Sequence, residues 1–390
     1  MNEGILHCDL NGFYASVECL FRPELRDVPM AVSGNPDNRH GIILAKNEHA
    51  KKFGVATAET IWQAKRKCPQ LVLVQPSHGR YGEFSRKVNA IYSRFTNRVE
   101  PFGIDESWLD VRAAFKLFGS GAEIADKLRK AVREELGLTI SVGVSFNKIF
   151  AKLGSDYKKP DATTLISEED FREIVFPLSV SNLLFVGRKT GESLSRMGIR
   201  TIGELASADE RALVRKFGRH GAFMHEAANG LGGDGVGFYG DEDEAKSVGN
   251  SVTYPRDLAG FDELNAAARD LAQTVGARLR KEKLKCCAVH VAIKNPDFKT
   301  ITRQTTLDNP TNLPSAIAAA AMRIICAEWD FSSPVRMLGI SCSNLRDASE
   351  PAVQMSVFAE DNKREIRSEK IEDALETLRQ KYGDDIVKRL

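Results

Sequence analysis

The chain has 390 residues, of which 42% are hydrophobic and 28% charged, and its formal net charge is +2. This length exceeds what one hydrophobic core usually supports, so we expect two to four domains. No apolar run approaches the roughly 20 residues that a membrane span needs, and we expect neither a membrane segment nor a signal peptide.

The first 165 residues alternate short apolar strands with helical patterns. This alternation predicts an α/β region with hairpins and hence a mixed or antiparallel sheet. The predicted strands are 4–10, 28–33, 41–45, 71–75, 98–104, 107–111, 139–144 and 163–166, and the predicted helices are 13–20, 47–53, 60–67, 78–97, 120–136 and 147–157. From 168 to 231 no strand pattern is present, and short helices separated by glycines are predicted.

Residues 232–246 are rich in glycine and then acidic, a composition typical of an interdomain linker. A second α/β unit is predicted to follow, with strands near 247–254, 286–294, 300–307 and 337–345 and helices near 261–284 and 312–329. Residues 346–360 are predicted to be extended, and a helix is predicted at 363–382. Seven scattered cysteines without a C-x-x-C pair fit neither a zinc site nor a disulfide framework, which favours a reducing, cytoplasmic compartment.

Adjacent carboxylates, Asp105 and Glu106, interrupt a strand-like run at 101–110. Burying two like charges side by side is costly, and a divalent cation offsets that cost. Asp9 ends another strand-like run and leads directly into a helix, so we expect its carboxylate and the Leu10 carbonyl to point into the same space. Three acids at strand ends favour a two-metal phosphoryl-transfer site, whereas the alternative is a hairpin turn with solvated acids.

Three segments together resemble the Y-family DNA polymerases, specifically the bacterial DNA polymerase IV branch. They are Asp9–Glu18 (DLNGFYASVE), the IDES run at 104–107 and Val142–Pro160, and the resemblance covers nearly the whole chain in the right order. It implies a right-hand polymerase of the α/β (α+β) class with a mixed-sheet palm. The implied domains are a palm at 1–10 and 76–165, fingers at 11–75, a helix-hairpin-helix-like thumb at 166–232, a linker at 233–246, an α/β little finger at 247–345 and a tail at 346–390.

The resemblance also implies the roles of individual residues. Asp9, Asp105 and Glu106 match the catalytic acids, which with the Leu10 carbonyl hold two Mg²⁺ ions. Tyr14 falls on the steric gate that excludes ribonucleotides, Phe13 lies beside it under the nucleotide, and Lys159 falls on a lysine that contacts the triphosphate. The roof over the nascent base pair corresponds to Val32, Ile42, Leu44 and Ala58. Leu44 is larger than the usual alanine or serine, so we expect less room for bulky template adducts.

The predicted fingers depart from the family pattern at the triphosphate. Glu48 and Lys51 occupy the positions of a tyrosine and an arginine that usually grip the β- and γ-phosphates, and Ala45 replaces a threonine. A glutamate would repel a phosphate, and a lysine lacks the bidentate fork of arginine. Our hypothesis is that Lys51, alone or with Lys46, replaces the missing contacts.

Several basic and glycine-bearing segments are candidates for contact with primer–template DNA. For the lysines the alternative is a solvated helix or sheet face. The candidates are Lys148 and Lys152 on one predicted helix, Gly187, Arg188, Lys189, Gly218 and Gly221 in the thumb, and Lys246, Lys294 and Arg303 in or beside the basic segment 278–303. Gln354-Met355-Ser356-Val357-Phe358 resembles the peptide by which bacterial polymerases bind the sliding clamp.

Together these expectations describe a monomeric, template-directed DNA polymerase of low fidelity that serves lesion bypass in DNA repair. Its partners would be primer–template DNA, dNTPs and the sliding clamp. One alternative is a non-catalytic DNA-binding scaffold with a polymerase fold. The departures from the family pattern at Glu48 and Lys51 favour this alternative. A second alternative is a nucleotidyl cyclase, since cyclases can use a similar palm with paired acids.

Overall fold

The computed structural model describes residues 3–35, 41–232, 235–241 and 244–349, together with four helical residues at 371, 374, 378 and 381. It divides into two compact units, Met1–Glu242 and Asp243–Leu390, and the division falls within the predicted linker. Within the described ranges, no helix combines the length and apolar character needed to cross a membrane. The seven cysteines are free thiols.

The first unit combines two sheets with a helical segment. Its strands are β1 (Ile5–Leu10), β2 (Met30–Ser33), β3 (Ile43–Lys46), β4 (Val72–Val74), β5 (Val99–Pro101), β6 (Glu106–Asp110), β7 (Ile140–Ser145) and β8 (Thr163–Ile166). Its helices are α1 (Phe13–Phe21), α2 (Glu48–Lys52), α3 (Ile61–Lys67), α4 (His78–Tyr92), α5 (Phe115–Phe118), α6 (Gly121–Leu136), α7 (Lys148–Tyr157), α8 (Phe171–Val175), α9 (Arg188–Arg196), α10 (Ile202–Ala206), α11 (Glu210–Phe217) and α12 (Arg219–Ala228).

The larger sheet has the strand order β5-β6-β1-β7-β8, so β1 lies at its centre. Strand β1 pairs antiparallel with both β6 and β7, while β7 and β8 are parallel. Leu6 and Cys8 of β1 pack with residues of α4 and α6, and Ile5 packs with Ala151 of α7 on the other face. Every residue of β1 is buried, because both faces of the strand are covered. This burial explains why an almost uniformly apolar strand can carry a costly acid, Asp9, at its end.

The smaller sheet has the order β3-β2-β4 and encloses a separate small core around Ile43 and Val55. Helix α3 begins with a reciprocal capping box between Thr60 and Gln63. Helices α8 to α12 enclose a third core, and no strand interrupts the described residues between 168 and 231, as the sequence predicted.

The second unit is one antiparallel sheet covered on one face by two helices. It consists of β9 (Ser247–Leu258), α13 (Gly260–Lys281), β10 (Leu284–Lys294), β11 (Thr300–Thr311), α14 (Pro314–Glu328) and β12 (Val335–Asp347). The strand order is β11-β10-β12-β9. Its core joins alternate residues of the strands to the apolar faces of both helices, for example Val289 and Ile340 to Leu271 and Ile325.

Several predicted boundaries were wrong, for local reasons. The predicted helix 261–284 ends at Lys281, because Lys283 takes a positive φ of 54° and Leu284 already begins β10. The predicted strand 98–104 ends at Pro101, where the chain turns through Gly103, and the predicted helix 78–97 ends at Tyr92. Strands β9 and β11 extend beyond the predicted 247–254 and 300–307, because backbone pairing continues through polar residues that carry no apolar pattern.

Candidate active site

The three predicted acids converge at one end of the larger sheet. Asp9 at the end of β1 pairs directly with Glu106 at the start of β6. The turn before Glu106 is closed by the Phe102 amide, which donates to the Glu106 carbonyl at 2.8 Å, and Gly103 in it has a φ of 82°. The Leu10 amide donates to the Asp105 carbonyl at 3.0 Å, which ties this turn to β1. Backbone pairing therefore fixes the relative positions of all three acids.

These acids line a cavity of about 440 Å³ in the first unit. Its walls come from β1, the start of α1, the end of β3 and the hairpin turn. The lining residues are Asp9, Leu10, Gly12, Phe13, Tyr14, Leu44, Ala45, Lys46, Thr57, Ile104, Asp105, Glu106 and Lys159. The cavity thus brings together the predicted catalytic acids, gate and phosphate-binding lysine, although these are distant in sequence.

Two lysines neutralise the acids from α7 and the segment after it. Lys159 Nζ lies 2.7 Å from Asp9 Oδ2, and Lys152 Nζ lies 2.7 Å from Glu106 Oε1. Asp156 joins both, at 2.6 Å from Lys159 Nζ and 3.6 Å from Lys152 Nζ. The carboxylates are therefore embedded in a network of alternating charge.

The pKa values of the acids are shifted in different directions, because burial and repulsion raise them while hydrogen bonds lower that of Glu106. Burial raises the pKa of Asp9 and of Asp105, and the charge of Glu106 adds to both shifts. Burial alone would raise the pKa of Glu106 as well, but hydrogen bonds from His7 and Lys152 outweigh it and hold that pKa below its usual value. The site thus holds more negative charge than its burial favours, which a bound cation would relieve.

Tyr14 presents a rigidly backed ring to the cavity. It stacks on Tyr81 with ring centroids 4.1 Å apart and planes 10° apart, and the edge of His78 closes one side. The Tyr81 hydroxyl donates to Oε1 of the fully buried Glu18 at 2.8 Å. Phe13 reaches the cavity but belongs chiefly to the core of the larger sheet. The Tyr14 ring is therefore held on one face by Tyr81 and at one side by His78.

The family to which these features point is identified by comparison with known proteins. The chain matches the impB/mucB/samB family over residues 8–156 and the C-terminal domain of the same family over residues 245–357. DNA polymerase IV of Acetivibrio thermocellus is 46% identical over 389 residues, covering 100% of this chain and 97% of the relative. DNA polymerase IV 1 of Bacillus subtilis is 36% identical, covering 99% of this chain and 92% of the relative.

The chain belongs to the impB/mucB/samB family. Within it, the chain is a member of the DNA polymerase IV branch of the Y-family DNA polymerases. A solved Y-family DNA polymerase chimera of Dbh and Dpo4 shares the fold, with a TM-score of 0.78 at 20% identity over 87% of this chain and 98% of the chimera. The predicted fold class, a right-hand polymerase with a C-terminal α/β domain, is confirmed.

Use of a divalent metal ion is general to this polymerase family, and the donor set of this chain is compatible with it. As they stand, no three His, Cys, Asp or Glu side chains among the described residues form a metal-binding group. The acids nevertheless offer the oxygen donors that Mg²⁺ prefers. The pKa values of Asp9 and Asp105 are raised, and the ammonium groups of Lys159 and Lys152 lie next to Asp9 and Glu106. Both observations indicate that the site favours added positive charge.

The predicted roof residues of this polymerase differ in their exposure. Leu44 lines the cavity, and a β-bulge in the pairing of β2 with β3 brings Ala45 to the same wall. Ile42 and Ala58 are exposed, and Ala58 has a positive φ of 68°. The side chain of Val32 is fully buried in the core between the smaller sheet and α1, and its place in the roof remains a prediction.

The structure separates the two lysines that sequence reasoning placed at the triphosphate. Lys51 lies on α2 with its Nζ 3.3 Å from Glu48 Oε1, and neither side chain lines the cavity of the acids. Lys46, at the end of β3, does line that cavity, and its Nζ donates to the Thr57 hydroxyl at 3.1 Å. The lysine that the smaller sheet contributes to this cavity is therefore Lys46.

Both candidate lysines of α7 already have ionic partners within the protein. Lys148 Nζ lies 2.6 Å from Glu100 Oε2, and Lys152 is engaged with Glu106. Gly187 and Gly218 precede α9 and α12, and a Cβ added at either would meet nothing within 4 Å. Gly221 is different, because a Cβ there would lie 2.3 Å from the Leu213 carbonyl oxygen, so close helix packing accounts for this glycine.

The first thumb candidates next to these glycines are exposed. Arg188 begins α9 and pairs with Glu192 at 3.2 Å, with 90% of its side chain exposed, and Lys189 follows it at the surface. Both remain predictions for DNA contact.

The basic segment 278–303 of the second unit does not form one surface. Lys294 pairs with Thr300 and Met337 and shares a face with His290 and Ala292, opposite to the buried Val291. Apart from Met337, the residues of this uncovered face are small or polar. The face consists of Ser247, Gly249, Ser251, Thr253, Ala288, His290, Ala292, Lys294, Thr300, Thr302, Gln304, Thr306, Met337, Gly339, Ser341 and Ser343.

Arg303 lies on the opposite face, which the helices cover. It pairs with Val291, and its Nε donates to Oε2 of Glu328 on α14 at 2.9 Å. Arg278 and Arg280 likewise bond to backbone carbonyls, those of Gly249 and Asn312. Lys246 is exposed just before β9. A structural role is thus visible for Arg303, whereas Lys294 and Lys246 are open to a ligand.

The proposed clamp peptide, 354–358, lies outside the described residues.

Sequence reasoning missed a buried partner of the acids. His7 is fully buried on β1, with Nδ1 2.8 Å from Ser155 Oγ and Nε2 3.4 Å from Glu106 Oε2. Strand alternation was the available signal, because His7 and Asp9 are two residues apart on the same strand and thus on the same face. Tyr81 and Thr57 were also missed, and their contacts depend on tertiary packing that no local pattern reveals.

Proposed function

We propose that this chain is a template-directed DNA polymerase that adds dNTPs to a primer 3′-hydroxyl, with low fidelity and a role in lesion bypass during DNA repair. The observation that carries the proposal is the direct pairing of Asp9 with Glu106 beside Asp105, in a cavity that also contains Tyr14 and Lys159. Membership of the DNA polymerase IV branch supports it.

In this proposal, Asp9, Asp105, Glu106 and the Leu10 carbonyl hold two Mg²⁺ ions. When bound, these ions would lower the pKa of the primer hydroxyl and neutralise charge on the triphosphate and the departing pyrophosphate. Lys159 contributes a positive charge to the same cavity, where negative charge develops on the leaving group. Tyr14, backed by Tyr81, occupies the space of a ribose 2′-hydroxyl.

The proposed domains follow the boundaries inferred from the sequence. Residues 1–10 and 76–165 form the palm, 11–75 the fingers, 166–232 the thumb and 247–345 the little finger. The uncovered polar face of the second unit suits a sequence-independent contact with the DNA backbone, and the exposed glycine turns before α9 and α12 suit phosphate contact. The sliding clamp, bound through 354–358, and a monomeric state complete the proposal.

Primer extension with Mg²⁺ tests this function directly. The wild-type chain is expected to extend a labelled primer with the dNTP complementary to the template, and the variant Asp105→Ala/Glu106→Ala is expected to bind the same DNA without extending it. A wild-type chain that binds DNA but never extends the primer would support the non-catalytic scaffold. Formation of a cyclic nucleotide from a triphosphate alone would support the cyclase.

A further inference from the structure

We propose that Lys46 supplies the charge by which the fingers hold the polyphosphate of the incoming nucleotide, in place of the grip that Glu48 and Lys51 do not provide. This inference rests on the proposed polymerase function and names a substrate-binding residue of the same cavity. It differs from the sequence-based hypothesis, in which Lys51 was the principal replacement.

The position of Lys46 is the first argument. It is the last residue of β3 and lines the same cavity as Asp9, Glu106 and Lys159. Lys46 enters from the smaller sheet, whereas Lys159 enters from the segment after α7. Two amino groups from different elements therefore border one cavity with the acids that would hold metal ions. The polyphosphate of a nucleotide is an extended polyanion, which can bind both amino groups at once.

The partner of Lys46 is the second argument. Within the described residues, its Nζ donates to a neutral hydroxyl, that of Thr57, at 3.1 Å. Thr57 lines the cavity too, so the hydrogen bond fixes the amino group without neutralising it. The charges that face Lys46 are those of Lys51, Glu48 and Glu59, and burial is the largest influence on its pKa, which lies below the usual value. Lys159, by contrast, is already engaged by Asp9 and Asp156.

A neighbouring cavity is the third argument. This second cavity of about 530 Å³ is also lined by Gly12 and Lys46, so the two cavities share a boundary at these residues. A Cβ at Gly12 would lie 3.1 Å from the Lys46 carbonyl oxygen, and Gly12 has a φ of 53°, so glycine permits this close approach of α1 to β3. Lys51 lines neither cavity. Lys46 thus lies at the boundary between the two cavities, and its amino group is held by Thr57, which lines the nucleotide cavity.

Equilibrium binding of dATP gives a test that is independent of turnover. The full chain is bound to a primer–template with a dideoxy-terminated primer and a templating dT, in the presence of Ca²⁺, and dATP is titrated in. Lys46→Ala is expected to raise the dissociation constant of dATP about 10- to 100-fold, as for loss of a charge-assisted hydrogen bond. Lys46→Arg is expected to restore most of the affinity, and Thr57→Val to lose part of it.

Matched variants separate substrate binding from loss of fold. Lys52→Ala removes the same charge from an exposed position of α2 and is expected to leave dATP binding unchanged. Affinity for the primer–template, measured without dATP, reports whether Lys46→Ala is folded. In single-turnover extension with Mg²⁺, Lys46→Ala is expected to raise the apparent KM for dATP far more than it lowers the maximal rate.

The outcomes distinguish this inference from the function on which it rests. A wild-type chain that extends primers, together with a Lys46→Ala variant that binds dATP normally, would overturn the role of Lys46 alone. A larger loss of dATP affinity in Lys51→Ala than in Lys46→Ala would also overturn it. A wild-type chain that never extends a primer would instead remove the proposed polymerase function.

Discussion

Asp9 and Glu106 face each other across the antiparallel strands β1 and β6, and each is paired with its own lysine at 2.7 Å. Lys159 joins Asp9 to Asp156, and Lys152 joins Glu106 to the same Asp156. The positive charge against these acids therefore comes from two side chains, those of Lys152 and Lys159. The carboxylates of this arrangement offer oxygen donors of the kind that Mg²⁺ prefers, as the proposed two-metal site requires.

The first prediction concerns sugar discrimination. Tyr14→Ala removes the ring that Tyr81 holds against the cavity and is expected to raise the efficiency of ribonucleotide relative to deoxyribonucleotide insertion about 10- to 100-fold. Single-nucleotide incorporation with matched rNTP and dNTP pairs measures the ratio. Tyr14→Phe keeps the ring and is the control. An unchanged ratio in Tyr14→Ala would show that another side chain excludes the 2′-hydroxyl.

The second prediction concerns His7, which contacts Glu106 from beneath the site. His7→Leu removes both polar contacts of the ring and is expected to lower the rate of incorporation about 10- to 100-fold, as for other groups that orient a metal ligand. His7→Gln keeps a donor toward Glu106 and is expected to retain more activity. The Mg²⁺ concentration for half-maximal rate is expected to rise in His7→Leu. An equal loss of incorporation rate in both variants, with an unchanged Mg²⁺ requirement, would show that His7 acts through packing alone.

The third prediction concerns the room above the template base. Leu44 lines the cavity, and Leu44→Ala is expected to increase extension past bulky minor-groove adducts relative to undamaged template. A primer-extension series with adducts of graded size measures this, and the gain is expected to grow with adduct size. Val32→Ala is a useful comparison, because Val32 is fully buried: a loss of stability without a gain in bypass would contradict its place in the roof. Adduct bypass that is equal in Leu44→Ala and wild type would contradict the assignment.

The fourth prediction concerns the packing of α11 against α12. A Cβ at Gly221 would lie 2.3 Å from the Leu213 carbonyl oxygen, so Gly221→Ala is expected to destabilise the first unit by about 1–3 kcal/mol. The same substitution at Gly187, where an added Cβ meets nothing within 4 Å, is expected to leave stability nearly unchanged. Thermal unfolding of both variants gives the comparison. Equal stability of the two would argue against tight packing at Gly221.

The acid site could be predicted from the sequence because its determinants are local. Asp9 is the penultimate residue of one strand and Glu106 begins another, and Gly103 marks the turn before Glu106. The helix-rich segment between 168 and 231 was likewise predictable, since it lacks any alternating pattern. These signals depend on neighbouring residues in the chain rather than on distant contacts.

The sequence does not reveal where a side chain lies when strand register or tertiary packing determines its position. Arg303 and Lys294 belong to one basic segment, yet pairing of β10 with β11 places them on opposite faces of the sheet. Val32 is apolar like the roof residues, but only the packing of the smaller sheet on α1 shows that it is buried. Lys46 and Lys51 are five positions apart, and a strand end and a helix direct them to different surroundings.

The rate of single-nucleotide incorporation by isosteric variants of the opposed acids tests the central claim most directly. Asp9→Asn and Glu106→Gln keep the shape of the site but remove one negative charge each. We expect each variant to lose about 10³-fold or more in rate with Mg²⁺, while affinity for primer–template DNA stays within about threefold of wild type. A variant that binds DNA normally and incorporates dNTPs within about tenfold of the wild-type rate would contradict a metal-dependent polymerase site at Asp9 and Glu106.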